Sequence, residues 1–282
     1  MAHVAPSLRG KTIGMIGAGH MGQALIRGLR SAGVPATRLL VVEPKAGARR
    51  MVTRRDRVEF VRLTDIASRC DVGILAVKPQ EAAGVLRELA GALSSSARRR
   101  MLVISIAAGL RLRAIERELG RAAVVRVMPN LAAKVGCAIS AMAAGRWATR
   151  AHRETAEAIF QSVGEVVALP ERHFDAVTAL SGSGPAYFFL IFQALRDAGV
   201  RQGLPKAVAQ RLAVETAKGA AALVDGLGEE LEALIAQVAS KRGTTERALR
   251  VFQRRRLPEA LAAGVEAAAK RSKELSCLWS GN

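Results

Sequence analysis

The chain has 282 residues, half of them apolar and 24% charged, which excludes a disordered or fibrous polymer and leaves room for one large core or two modest ones. Its 43 lysines and arginines against 24 acids give a formal charge of +19, but the cations are spread along the whole chain, with short clusters only at Arg54-Arg55, Arg98 to Arg100 and Arg254 to Arg256. Aromatic residues, at 4%, are too few for the stacking platforms of single-strand binders, so a solvated, arginine-rich surface is expected and no nucleic-acid partner.

The first predicted element is a strand at residues 11–16. The turn Gly17-Ala18-Gly19-His20-Met21-Gly22 follows and opens a helix through Leu25, Ile26 and Leu29. In such a strand, turn and helix, Gly17 permits the tight turn, Gly19 lets the backbone approach a pyrophosphate, and Gly22 lets the helix pack closely on the strand. The helix N-terminus adds free N–H groups and a partial positive charge. A second strand, Leu39 to Val42, ends at Glu43, twenty-one residues after Gly22, a spacing that suits an acid held against an adenosine ribose. Glu43 repels a 2'-phosphate and favours NAD. Lys45, Arg49 and Arg50, just beyond it, either favour NADP or simply line an exposed helix.

Further along, a strand from Val72 to Val77 ends in Lys78-Pro79 and gives way to helical spacing through Val85, Leu86 and Leu89. The strand Met101 to Ile106 runs into Ala107-Ala108-Gly109, and Ala123 to Val127 ends at Met128-Pro129-Asn130. Ligands of an open parallel sheet lie beyond the carboxyl ends of its strands, so these loops are expected to face the nicotinamide half of a dinucleotide. After Leu169-Pro170 the strand signal yields to alanine-rich helical patterns. This divides the chain into a dinucleotide-binding domain, 1–168, and a helical domain, 169–282.

In the second domain, Ser181 to Tyr187 precedes an apolar helix from Phe188 to Leu195, either as a tight helix junction or as a ligand contact. Gly203-Leu204-Pro205 starts another helix, with Val208, Leu212, Ala213 and Thr216 on one face. Before the last helical stretch, Ser240, Thr244 and Thr245 either hold a carboxylate together with backbone N–H groups or act as ordinary helix caps.

The longest apolar runs, such as Met101 to Leu110, fall short of the roughly 18 to 20 residues that span a bilayer. With no secretory leader visible, a cytoplasmic protein without a membrane partner is expected. Cys70, Cys137 and Cys277 are far apart and odd in number, and no histidines pair at ligand spacing, so neither a disulfide framework nor a metal site is expected.

The segments Ile16 to Gly22, Ala76-Val77-Lys78-Pro79, Ser105-Ile106-Ala107-Ala108-Gly109, Met128-Pro129-Asn130, Ser181 to Tyr187 and Gly243-Thr244-Thr245 resemble pyrroline-5-carboxylate reductase in order and spacing, across roughly residues 11–275. The resemblance implies an α/β fold, with a Rossmann-type doubly wound sheet followed by an all-helical dimerisation domain. It also implies a homodimer through the helical domain and larger rings, such as a decamer, built from it. The implied reaction passes hydride from NADPH or NADH to the imine carbon of a small cyclic imino acid, 1-pyrroline-5-carboxylate, giving L-proline. NADP or NAD is the implied cofactor, with NADP slightly preferred.

By the same resemblance, Ile16, Gly17, Ala18, Gly19, His20, Met21, Gly22 and Glu43 bind the dinucleotide, and Ala76, Val77, Lys78, Pro79, Ile106, Ala107, Ala108 and Asn130 border its nicotinamide half. Ser240, Gly243, Thr244 and Thr245 form the substrate pocket, with Thr245 as the catalytic hydroxyl. The chain departs from the family at Lys241-Arg242, which replace Pro-Gly, at Glu230-Leu231 and Ile235-Ala236, which replace a His-Pro and a Lys/Arg-Asp pair, and at Leu131-Ala132, which replace Thr-Pro. If position 242 keeps a positive φ, its side chain is strained by roughly 1 to 2 kcal/mol. The altered loop keeps two other readings in view, an imine reductase for another cyclic imino acid and a non-catalytic dinucleotide-binding paralogue.

Overall fold

Short apolar runs closed by glycine, proline or polar turns become strands here, and the amphipathic stretches between them become crossover helices. The computed structural model describes residues 4–277. In chain order the first part holds β1 (Ile13–Ile16), α1 (His20–Ser31), β2 (Leu39–Val42), α2 (Ala46–Asp56), β3 (Glu59–Phe60), α3 (Leu63–Arg69), β4 (Val72–Leu75), α4 (Pro79–Ala92) and α5 (Ser95–Arg100). There follow β5 (Leu102–Ser105), α6 (Leu112–Leu119), β6 (Ala123–Met128), β7 (Ala138–Ala144), α7 (Arg150–Gln161), β8 (Gly164–Ala168) and α8 (Phe174–Val177). The remaining helices are α9 (Gly184–Arg201), α10 (Lys206–Leu227), α11 (Leu231–Val238), α12 (Thr244–Arg254) and α13 (Leu257–Cys277).

The strands form one sheet in the order β3-β2-β1-β4-β5-β6-β7-β8. From β3 to β6 the neighbours are parallel, whereas β7 runs antiparallel to β6 and carries β8 parallel to itself. Every residue of β1, β4 and β5 is buried, as a parallel sheet covered on both faces requires. Leu25, Ile26 and Leu29 of α1, with Ile159 and Phe160 of α7, fill one side. On the other side Ile66, Leu86, Leu89, Ile115 and Phe174 pack together. Each such side chain contributes roughly 1.5 to 3 kcal/mol by leaving water. The strand order reverses between β1 and β4, and their registers set Ile16 beside both Val42 and Leu75. The turns after β1, β2 and β4 therefore emerge side by side, at the place where doubly wound sheets open a crevice.

Two compact units result, Met1–Ser183 with Ala268–Asn282, and Gly184–Ala267. This corrects the expected division at residues 168 and 169. The sheet ends at β8, but Phe174 is buried against the sheet's core and Glu171 pairs with Arg126 of β6, so the chain leaves this unit only after Ser183. The second half of α13 belongs to the same unit, where the hydroxyl of Ser272 donates to Asp175 at 2.7 Å.

The unit Gly184–Ala267 is helical throughout. Its α9 and α10 touch closely, since a methyl built on Gly199 would stand 3.0 Å from the Cβ of Ala209. The unit leaves the large apolar side chains Phe188, Phe189, Leu190, Leu212 and Leu223 each more than half exposed. The faces expected along α9 and α10 are thus present but uncovered within one chain.

Candidate functional site

The glycine turn has the geometry its residues predict. Gly17 takes φ +99°, and a Cβ there would meet the carbonyl oxygen of Ala76 at 2.8 Å. A Cβ on Gly22 would run into the carbonyl oxygen of Gly17, so only glycine lets α1 lie this close to the end of β1. Gly19 is different: it caps α1 with an extended backbone, and nothing lies within 4 Å of where its Cβ would be. The missing side chain leaves open space in front of the helix N-terminus, which fits a pyrophosphate approaching the backbone. Gly19 and His20 are exposed on that side, Ala18 and Gly22 are buried behind it, and Met21 is half-buried.

The turn is braced from two directions. Glu43, at the end of β2, accepts the Ala18 N–H at 2.8 Å through Oε2 and the Lys45 N–H at 2.9 Å through Oε1. Gln23 donates from Nε2 to the Ala18 carbonyl at 2.8 Å. Glu43 therefore holds the turn's shape. Ile16, Gly17, Gly19, Glu43, Ala76, Val77 and Lys78 line one cavity of about 870 Å³ at the β1/β4 reversal. Lys45 and Arg49 line it too, whereas Arg50 does not. Lys45 sits 3.4 Å from Glu81, and the Arg49 guanidinium lies over the Phe60 ring. Sequence reasoning passed over Phe60, Arg62 and Arg69, which also line the cavity from β3 and α3.

Pro79 begins α4 with Lys78 as its cap. The Ile106 N–H bonds the Leu75 carbonyl at 3.2 Å, so the start of the loop Ile106-Ala107-Ala108 is tied to the end of β4. Asn130 is nearly buried after β6, and its Nδ2 donates to the Ser181 hydroxyl at 3.4 Å. Pro79, Ile106, Ala107, Ala108 and Asn130 lie outside the walls of the 870 Å³ cavity. Ser181 belongs to a π-helical turn, Thr178–Gly182, closed by the Ser183 N–H on the Thr178 carbonyl. Such single turns of wide helix recur at functional sites.

In the helical unit, Gly243 caps α12 with no side-chain capping bond. Ser240, Thr244 and Thr245 therefore do not serve as caps, and the N–H groups of the first turn remain for another partner. Arg242 takes φ +60°, the strained value anticipated for a residue standing where glycine is usual. Glu246 fastens this bend, accepting the Arg242 backbone N–H and, at 2.7 Å, the Arg250 guanidinium. The Arg242 N–H first, and then Arg250, hold the Glu246 carboxyl below the usual carboxylate range. Arg242→Gly is expected to raise stability by up to about 1 kcal/mol in denaturant unfolding, because relief of the strain outweighs the added freedom of the unfolded chain. A loss of stability would mean that the arginine side chain makes compensating contacts.

Among the described residues no cluster of three or more His, Cys, Asp or Glu is arranged to hold a metal, and no helix is long and apolar enough to cross a membrane.

Residues 171–275 match the family model for pyrroline-5-carboxylate reductase dimerisation, and residues 12–109 match that for coenzyme F420-dependent NADP oxidoreductases. The chain is 38% identical to the pyrroline-5-carboxylate reductase of Corynebacterium melassecola, over 94% of this chain and 98% of that one. It is 39% identical to the Synechocystis enzyme of the same name, over 93% and 97%. Among solved structures it resembles a pyrroline-5-carboxylate reductase from Coxiella burnetii, with TM-score 0.86, 33% identity and coverage of 94% and 98%. It also resembles the Plasmodium falciparum pyrroline carboxylate reductase with NADP bound, with TM-score 0.85, 28% identity and coverage of 95% and 98%. The glycine crevice, the loops beyond β4 to β6 and the bend before α12 thus occur in a chain that belongs to the pyrroline-5-carboxylate reductase family.

Proposed function

We propose that this chain reduces 1-pyrroline-5-carboxylate to L-proline with NADPH or NADH. The observation that carries this reading is the crevice at the β1/β4 reversal, in a chain that matches reductases of that name over 94% of its length. When bound, the reduced nicotinamide supplies a hydride. A protonated imine is already electrophilic, so the protein's own tasks are to hold it within about 3 to 3.5 Å of the donor and to keep water away. The N–H groups at the start of α1 hold the pyrophosphate, and Glu43 meets the ribose. Lys45 and Arg49 stand on the same cavity wall and favour a 2'-phosphate, the basis for a slight preference for NADPH. Ala76 to Pro79, Ile106 to Ala108 and Asn130 border the nicotinamide half.

The start of α12, whose cap Gly243 offers no side-chain bond, holds the imino acid's carboxylate together with Ser240 and Thr244. The Thr245 hydroxyl accepts from the N–H of the protonated imine, and once hydride addition has returned a lone pair to that nitrogen it donates to it, relaying a proton that water replaces. The exposed apolar residues of α9 and α10 support a homodimer through the helical region, from which a decamer is a further step. The free thiols of Cys70 and Cys137 suit the reducing cytoplasm. Burial pushes the Cys70 thiol up to about 12, so it is inert.

Purified protein with NADPH or NADH and, in parallel, five- and six-membered cyclic imino acids tests the reading by loss of nicotinamide absorbance. Turnover of the five-membered ring is expected. Turnover of the six-membered ring alone would favour a related imine reductase, the reading that the added cations Lys241 and Arg242 support. Dinucleotide binding without any turnover would leave a non-catalytic paralogue.

Glu43→Ala is expected to raise the ratio of kcat/KM for NADPH over NADH several-fold, since it removes a charge that repels a 2'-phosphate. The ratio is the relevant quantity because losing the Ala18 N–H bond also loosens the turn for both cofactors. An unchanged ratio would confine Glu43 to bracing.

A further inference from the structure

We propose that Arg126 and Glu171 form a positioning pair that sets the loops at the nicotinamide end of the crevice, and so governs the chemical step more than dinucleotide affinity. The inference rests on the reductase reading above. Arg126 is the one charged residue of β6 and is only 2% exposed. Register places it between Ser105 of β5 and Ala143 of β7, on the face that carries Phe174. Its Nη1 donates to Glu171 Oε1 at 2.9 Å, and its guanidinium lies 4.8 Å from the centroid of the Phe174 ring. Nε and Nη2 make no hydrogen bond among the described residues, so the buried charge leans on one carboxylate and one ring. Apolar residues of similar volume would stabilise such a place as well or better, and stability alone therefore does not account for the pair.

What the pair does is join three segments at one oxygen. Glu171 Oε1 also accepts the N–H of Leu112, the first residue of α6, at 2.7 Å. Two residues after Arg126 comes Met128-Pro129-Asn130. The loop beginning at Ile106 closes just before Leu112. Seven residues beyond Glu171 begins the π-helical turn whose Ser181 meets Asn130. Asp175 repeats the pattern on the next turn, facing Arg111 at 3.7 Å and accepting the Ser272 hydroxyl. Charge-assisted bonds with fixed directions thus join β6, the start of α6 and the segment at Glu171 to Asp175, which an apolar contact does not supply, and the loop after β6 meets the turn at 178–182 through the Asn130–Ser181 bond. The glycine turn is braced separately, by Glu43 and Gln23.

The test compares Arg126→Met, Arg126→Lys, Glu171→Gln and the double variant Arg126→Met/Glu171→Met. Single-turnover hydride transfer, dinucleotide Kd and Tm are measured for each in the full chain. Arg126→Met is expected to slow hydride transfer about 10- to 100-fold, the scale of a displacement of about 1 Å in the reacting groups, with Kd unchanged. Arg126→Lys restores part of the rate. The double variant regains Tm but not rate, and it keeps the proposal testable if the single variant folds poorly. A double variant as fast as wild type would overturn the positioning role, as would a loss of Kd that matches the loss of rate. A wild-type chain that binds dinucleotide yet reduces no cyclic imine would overturn the reductase reading itself, which is a different result.

Discussion

Replacing Thr245 with alanine is expected to slow imine reduction about 100-fold or more while leaving dinucleotide affinity as it was, the range typical of a lost proton donor. Thr245 is the second residue of α12 and half-buried, behind a cap that uses no side chain. Backbone N–H groups of the first turn survive the substitution, so the carboxylate keeps its anchor and KM should change less than kcat. What is lost is the hydrogen bond to the ring nitrogen, which the hydroxyl donates only as hydride transfer returns a lone pair to that nitrogen. Thr245→Ser keeps a hydroxyl at the same place and should recover most of the rate. Steady-state kinetics alongside fluorescence titration of the dinucleotide separate the two effects. Equal losses of kcat and dinucleotide affinity would remove Thr245 from its assigned role.

The parts of the fold that could be read in advance are those where several local demands coincide. At β1 and α1, an apolar run, three spaced glycines and an amphipathic helix all state one structure, and the turn formed as expected. For β2, β4 and β5 the apolar runs located each strand to within two residues. Glu43 was legible as an acid at a strand end, but its bonds to Ala18 and Lys45 depend on how β1 and β2 register, which periodicity does not reveal. The boundary between units was misplaced because loss of strand signal after β8 says nothing about Phe174, whose burial against the sheet prolongs the first unit to Ser183. Arg126 stood inside an apolar run that was read only as a strand. A lone arginine at a position buried on both sides was the available signal, since such a charge is costly without a partner. The strained φ of Arg242 was foreseen through the family's glycine at that position, not through its neighbours.

Gly22→Ala is expected to weaken dinucleotide binding about 100-fold and to lower Tm as well, because the added methyl overpacks a backbone contact worth roughly 1 to 3 kcal/mol. The methyl would press on the carbonyl oxygen of Gly17, with the Gly17 carbonyl carbon at 3.2 Å and Met15 Cγ at 3.5 Å. Neither backbone can yield cheaply. The Gly17 N–H is bound to the Val42 carbonyl at 2.8 Å, and both polar groups of Ala18 are held by side chains. α1 must therefore retreat from β1, which carries its N–H groups away from the phosphates and opens the core around Leu25 and Ile26. Gly19→Ala supplies the contrast. Gly19 has φ −67° and free space around its Cβ, so that variant should fold with an unchanged Tm and lose affinity only because its methyl occupies the place of the pyrophosphate. Calorimetry and dinucleotide titration on the two variants distinguish packing from occupancy. A Gly19→Ala protein that bound as tightly as wild type would show that no phosphate lies before α1, whatever Gly22→Ala did to the fold.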